Sequence, residues 1–143
     1  MADAQTSTQD AEPRGGEPQA AGQDFDVFAR ACPSRPALEH ITGRWGLLVL
    51  AALRELGVAR FGEVRRKVDG ISEKMLSQTL HTLERDGFAS RTVVAAIPPH
   101  VEYRLTPLGA ETAAKLLDLI RHLHHAMPAI LAAQDQYDAA QAG

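Results

Sequence analysis

Hydrophobic and polar positions follow no period before Phe25 and then fall into helical spacing. From Ser34 to Thr42, residues Ala37, Leu38 and Ile41 share one side of a predicted helix, with Ser34 as candidate cap, Pro36 in the first turn and Gly43 past the end. A second helix is predicted from Trp45 to Leu56. Its leucines and alanines (Leu47, Leu48, Leu50, Ala51, Ala52, Leu53) cover most of the circumference, which marks a buried central helix. Phe61, Val64 and Val68 define the inward side of a short third helix. After the Asp69-Gly70 turn, Ser72 can cap a fourth helix that runs to Asp86 and stops at Gly87.

Beyond Gly87 the period drops to two. Arg91 to Ala95 is rich in β-branched residues, Val101 to Leu105 alternates apolar with polar, and Ile97-Pro98-Pro99-His100 separates them, so a β-hairpin is expected with His100 at its tip. Thr106-Pro107 opens a long last helix. Leu116, Ile120, Leu123 and Met127 recur at four, three and four residues, a seam for another helix, and Pro128 is expected to kink or end it. The order of three helices, capped fourth helix, hairpin and long helix gives a mainly α fold with a small β-hairpin (α+β). That is a winged helix-turn-helix with a long C-terminal dimerisation helix, in which Leu38 and Ile41 face the seam as well.

Charge divides the chain in two. Residues 1–29 hold one base, Arg14, against six acids, whereas residues 30–143 hold 14 bases and 12 acids. An acidic stretch without periodicity cannot bury enough apolar surface to offset its ordering entropy. Residues 1–24 are therefore expected to be a disordered acidic tail, 25–135 one folded domain, and 136–143 a flexible C-terminus. With no apolar run near the ~20 residues of a membrane span, no apolar leader core and a single cysteine, Cys32, the expected setting is cytoplasmic, away from membranes and without a disulfide framework.

The fourth helix carries the candidate chemistry. On a wheel of ~100° per residue, Leu76, Leu80 and Leu83 form one stripe, and Lys74, Gln78, His81 and Arg85 lie opposite, with Ser77 and Thr82 on the shoulders. Glutamine can bind adenine through two hydrogen bonds, lysine reaches guanine or phosphate, and serine can bond to either. In a helix-turn-helix the preceding helix crosses the DNA backbone, which suits Arg65, Arg66 and Lys67 to phosphate. Ser72 at the helix start and Arg91, Arg104 and His100 on the hairpin complete the expected contacts with double-stranded DNA.

Cys32-Pro33, Thr42-Gly43-Arg44-Trp45, Arg60-Phe61-Gly62-Glu63-Val64-Arg65, Ile71-Ser72-Glu73-Lys74-Met75-Leu76-Ser77, Leu83-Glu84-Arg85-Asp86-Gly87 and Pro98-Pro99-His100-Val101-Glu102-Tyr103-Arg104-Leu105-Thr106 stand in an order that resembles the HxlR-type transcriptional regulators, from about Cys32 to Leu123. The resemblance implies homodimeric winged-helix proteins of the bacterial cytoplasm that bind inverted repeats in promoters, with repression as the expected outcome. It also implies a dimer made by the first and last helices, and it makes the cysteine of Cys32-Pro33 a candidate sensor of oxidants or electrophiles. The chain departs from the pattern at Thr79 and His81, where basic residues are common, at His100, where Arg or Lys is usual, and in its acidic tail.

Independently of the resemblance, Cys32 precedes a helix N-terminus between Arg30 and Arg35, and both influences favour the thiolate. Packing as a small apolar residue is the plainer role for it. His122 and His125 share a helix face but His124 does not, which is poor geometry for a metal, so no metal and no cofactor are expected. No phosphate-cradling glycine loop, His-Glu-x-x-His run or Gly-x-Ser-x-Gly elbow is present, and an enzyme is not expected. Two other readings stay open: a winged helix used for protein contact, and a regulator controlled by a small-molecule effector instead of by cysteine.

Overall fold

The structure is a computed structural model that describes residues 24–143; the acidic tail expected over 1–24 lies outside the described residues except for Asp24. Five helices and one hairpin follow in the order α1 (Ser34–Thr42), α2 (Arg44–Leu56), α3 (Phe61–Lys67), α4 (Glu73–Arg85), β1 (Ala89–Val94), β2 (His100–Leu105) and α5 (Pro107–Ala142). This is the winged helix-turn-helix arrangement that the periods and caps predict.

The apolar helix α2 is the hub. Val49, Leu50, Ala52 and Leu53 are buried in one cluster with Val64 of α3, Leu76, Leu80 and Leu83 of α4, Phe88 and Ala89 at the hairpin base, and Ala113 and Leu116 of α5. Leucine-on-leucine burial of this kind contributes about 1.5–3 kcal/mol per side chain, and it fixes α4 by one face only. The turn between α3 and α4 passes through Gly70 at φ 87°, a left-handed conformation that glycine adopts without steric cost.

The hairpin pairs antiparallel from Ala89 opposite Leu105 to Val94 opposite His100. Its inner strand is anchored by Ala59 and Tyr103, whose backbones exchange hydrogen bonds of 2.9 and 2.7 Å. At the base of the wing the Thr106 hydroxyl donates to the Gly87 carbonyl at 2.5 Å and accepts from the Gly109 N–H at 3.0 Å. One side chain thus caps α5 and ties it to the end of α4.

Four details differ from the sequence reading. Helix α1 starts at Ser34 with Pro33 before it, so Ser34 is the first helical residue and its hydroxyl turns to Cys32 instead of capping. His100 is the first residue of β2, opposite Val94, and the hairpin tip is residues 95–99. Helix α5 continues through Pro128, expected to kink or end it, to Ala142, across most of the 136–143 segment expected to be a flexible C-terminus. A proline removes one N–H from the ladder, whereas the alanines at 126, 129, 132, 133, 139 and 140 favour helix on both sides of it.

The fourth correction concerns Leu116, expected at the dimer seam. It is only 7% exposed and belongs to the chain's own core, because the first turns of α5 pack into the cluster around α2 through Ala113 and Leu116, with Gly109 against the Phe88 carbonyl. Arg54 of α2 strengthens that seat by donating to the Ala110 carbonyl at 3.1 Å. Ile41 also packs in part against the core, and Ile120 is half-buried.

Candidate nucleic-acid interface

Helix α4 is presented by local chemistry at both ends. The Ser72 hydroxyl accepts the Met75 N–H at 3.1 Å, and Glu73 in the first turn faces the positive end of the helix dipole. With Leu76, Leu80 and Leu83 turned into the core, Lys74, Ser77, Gln78, His81 and Arg85 all come out exposed. Among the described residues, the side chains of Lys74, Ser77, Gln78 and His81 make no hydrogen bond or ion pair within the chain. Four polar side chains on one helix face, none occupied, leave their donors and acceptors available to an outside partner.

The three bases of α3 are not equivalent. Arg65 Nη1 lies 3.0 Å from Glu73 Oε1, and Lys67 Nζ lies 2.6 Å from Glu55 Oε2. Arg66, which runs back over Gly62, has no ion pair among the described residues. Exposed pairs of this kind are worth about 0–1 kcal/mol, so a phosphate can displace either one, but Arg66 needs no exchange. Arg85 is exposed, with its guanidinium 3.6 Å from the Asp86 carboxylate. The sequence reading ranked these bases alike because their acidic partners lie 8 and 12 residues away, outside any helical spacing.

On the wing the expected contacts separate. Arg91 pairs with Tyr103 and Arg104 with Ser90, which puts the two arginines on opposite faces of the hairpin. Both are exposed. His100 shares its face with Glu102, whose carboxylate is 3.8 Å away, and the tip itself carries no charge.

Cys32 lies at the other pole of α1. Its Sγ is 3.1 Å from the Ser34 hydroxyl and accepts the Asp26 N–H at 3.2 Å. These bonds hold the thiol below its ordinary pKa. The Ser34 hydroxyl is the leading cause and the Ser34 backbone N–H follows; burial and the Asp26 charge oppose, and the Asp26 N–H assists. The direction and the helix-end contribution match the expectation, through the Ser34 N–H, whereas the flanking charges do not contribute, and Arg35 is spent on the Val27 and Phe28 carbonyls at 3.0 and 3.3 Å.

The rest of the expected seam is a surface. Leu38 is exposed on α1, beside an apolar hollow of about 420 Å³ lined by Val27, Ala37, Leu38, Ile41 and Phe88. On α5, Leu119, Leu123, Met127 and Leu131 are exposed once the helix has left the body. His122, His124 and His125 are exposed on the same free stretch, and no described helix is long and apolar enough to cross a membrane.

Comparison with known proteins agrees with this geometry. The chain is 50% identical over 114 residues to YtfH of Escherichia coli, described as an HTH-type transcriptional regulator, covering 80% of this chain and 90% of that protein. The solved structure of ytfH from Salmonella typhimurium, described as a transcriptional regulator, superposes with a TM-score of 0.72 at 48% identity, over 78% of this chain and 98% of that one. The oxidised form of the redox regulator HypR superposes with a TM-score of 0.58 at 34% identity, over 66% of this chain and 96% of that one. A sequence model of the HxlR-like helix-turn-helix matches residues 40–130. The chain belongs to the HxlR-like helix-turn-helix family of transcriptional regulators.

Proposed function

We propose that the protein is a repressor that binds an inverted-repeat promoter site as a two-fold homodimer, with α4 reading bases in the major groove. The observation that carries this reading is the unoccupied outer face of α4, where Lys74, Ser77, Gln78 and His81 stand exposed together. Arg66 supplies backbone attraction, with Arg65 and Lys67 recruited from their ion pairs, and Arg91 and Arg104 hold flanking phosphates from the two faces of the wing. The exposed apolar row on α5, with Leu38 and the hollow beside it on α1, supports the dimer. An isologous pair places the two recognition helices about one helical turn apart, or a multiple of it.

Cys32 is the proposed input. A thiol held toward thiolate by Ser34 and by the Asp26 N–H is primed for an oxidant or electrophile, and the likeness to HypR, a redox regulator by description, favours that input over a small-molecule effector.

The test is fluorescence anisotropy on duplexes from the gene's own upstream region, titrated with salt. Gln78→Ala is expected to lose about 1–3 kcal/mol on the preferred site and to relax base preference. Arg66→Ala weakens all sequences alike and lowers the salt slope by about one. Unchanged base preference in Gln78→Ala removes the reading role from that residue, and absence of duplex binding by the wild type removes the function.

A further inference from the structure

We infer that the hydrogen bond between His40 and the Asp86 carboxylate is a strut that positions the recognition helix against α1, and that it sets DNA affinity without touching DNA. The inference rests on the DNA-reading role proposed for α4. His40 Nδ1 lies 2.6 Å from Asp86 Oδ2, across 46 residues of chain, with the two side chains 32% and 15% exposed. His40 belongs to the last turn of α1, and Asp86 is the residue that closes α4.

Asp86 stands in a place that needs a hydrogen-bond donor. A carboxylate at a helix C-terminus opposes the macrodipole, and this one is mostly withdrawn from water. Its remaining charged neighbour is Arg85, 3.6 Å away and largely exposed. The nearer and better-shielded partner is His40.

Packing seats α1 mainly on α2, where a Cβ on Gly46 would meet the His40 carbonyl oxygen, and only lightly on α4. Helix α1 buries none of its residues fully. Between α1, α2 and α4 lies an unfilled hollow of about 210 Å³ lined by His40, Gly46, Met75, Gln78, Thr79 and Thr82. Gln78, the proposed base reader, therefore borders empty space on the side where α1 approaches. The core fixes α4 through its opposite stripe, Leu76, Leu80 and Leu83. A rocking motion about that stripe is resisted, on the α1 side, by the His40–Asp86 bond. Displacing α1 displaces His40, and with it the C-terminal end of α4.

The test uses the full-length protein and its promoter duplex, with thermal melting and sedimentation as controls for fold and assembly. His40→Ala is expected to weaken binding about tenfold, a carboxylate mostly withdrawn from water having lost its donor. The salt slope stays at the wild-type value, because no phosphate contact is removed. His40→Gln, whose amide can still donate to the carboxylate, keeps affinity within about threefold of wild type. Asp86→Asn, similar in size, weakens binding as His40→Ala does, and the double variant is no weaker than either single one. Wild-type affinity in His40→Ala overturns the strut, as does additive loss in the double variant. A salt slope lowered by about one in His40→Ala overturns it by making His40 a phosphate ligand. Should His40→Ala fail to fold, His40→Gln and Asp86→Asn decide it: loss in Asp86→Asn with retention in His40→Gln supports the strut, and any other pairing overturns it. Those results all require a wild type that binds the duplex; a wild type that does not bind overturns the DNA-reading role and the strut together.

Discussion

Ser34 shows how one side chain redirects the chemistry of another. Sequence logic makes it a helix cap, yet the helix starts on it, and the hydroxyl freed from capping points at Cys32 Sγ from 3.1 Å. Since that contact is the leading cause of the lowered thiol pKa, its removal has a definite sign. In Ser34→Ala the pKa rises toward the ordinary thiol value, the thiolate fraction at pH 7 falls, and alkylation by iodoacetamide slows several-fold. At a pH well above the ordinary thiol range both proteins are fully ionised, and their rates converge. Equal rates at pH 7 would leave Ser34 without a role in activating the thiol. Arg30 and Arg35 flank Cys32 in sequence, but Arg35 bonds backbone carbonyls. Residue-level partners of this kind are the part of the site that sequence conceals. His40 with Asp86, Arg65 with Glu73 and Lys67 with Glu55 each join two different elements, and nothing in local spacing marks them. The outer face of α4 was legible because it depends only on helical period and on the cap at Ser72.

At the scale of elements, the places where two backbones touch decide what the sequence permits. Gly109, in the first turn of α5, lies under the end of α4; a Cβ built on it would sit 1.8 Å from the Phe88 carbonyl oxygen and 2.8 Å from its carbon. Backbone at that distance cannot yield as a flexible side chain does. Gly109→Ala is therefore expected to destabilise the fold by roughly 1–3 kcal/mol or more and to lower Tm by at least about 5 °C in a calorimetric scan. An unchanged Tm would mean that α5 can lift from the hairpin base without penalty. The existence and order of the elements were readable throughout, since α2, α4 and the hairpin each show their own period over enough residues. Boundaries were less so. His100 joins β2 because it pairs with Val94 across the hairpin, a long-range bond no local pattern encodes. Helix α5 outlasts Pro128 although a proline removes a donor and crowds the preceding turn, since the alanine-rich sequence around it favours helix.

For the whole molecule, α5 belongs to two environments, and that division separates stability from assembly. Its first turns are core: Gly109, Ala113 and Leu116 are buried, the last two in the cluster around α2. Past Leu116 no residue of α5 is buried, and Leu119, Leu123, Met127 and Leu131 stay exposed at 45%, 43%, 37% and 51%. A row this apolar on one helix, together with Leu38 and the hollow beside it on α1, is the kind of surface that a soluble monomer seldom leaves open. The periodicity gave a single row from Leu116 to Met127, because four-three-four spacing cannot tell a core stripe from an assembly stripe. Burial divides it. Leu123→Glu combined with Leu119→Glu is expected to give a folded monomer by sedimentation, with a wild-type circular dichroism spectrum. Affinity for a full inverted repeat should fall toward that for a half-site. Leu116→Glu is expected instead to lose the fold, since an unpaired charge in the core costs several kcal/mol, a large part of the ~5–15 kcal/mol of a domain's stability. A Leu119→Glu/Leu123→Glu protein that stays dimeric at micromolar concentration would take the interface off α5, and the pairing of the two recognition helices would then need another surface.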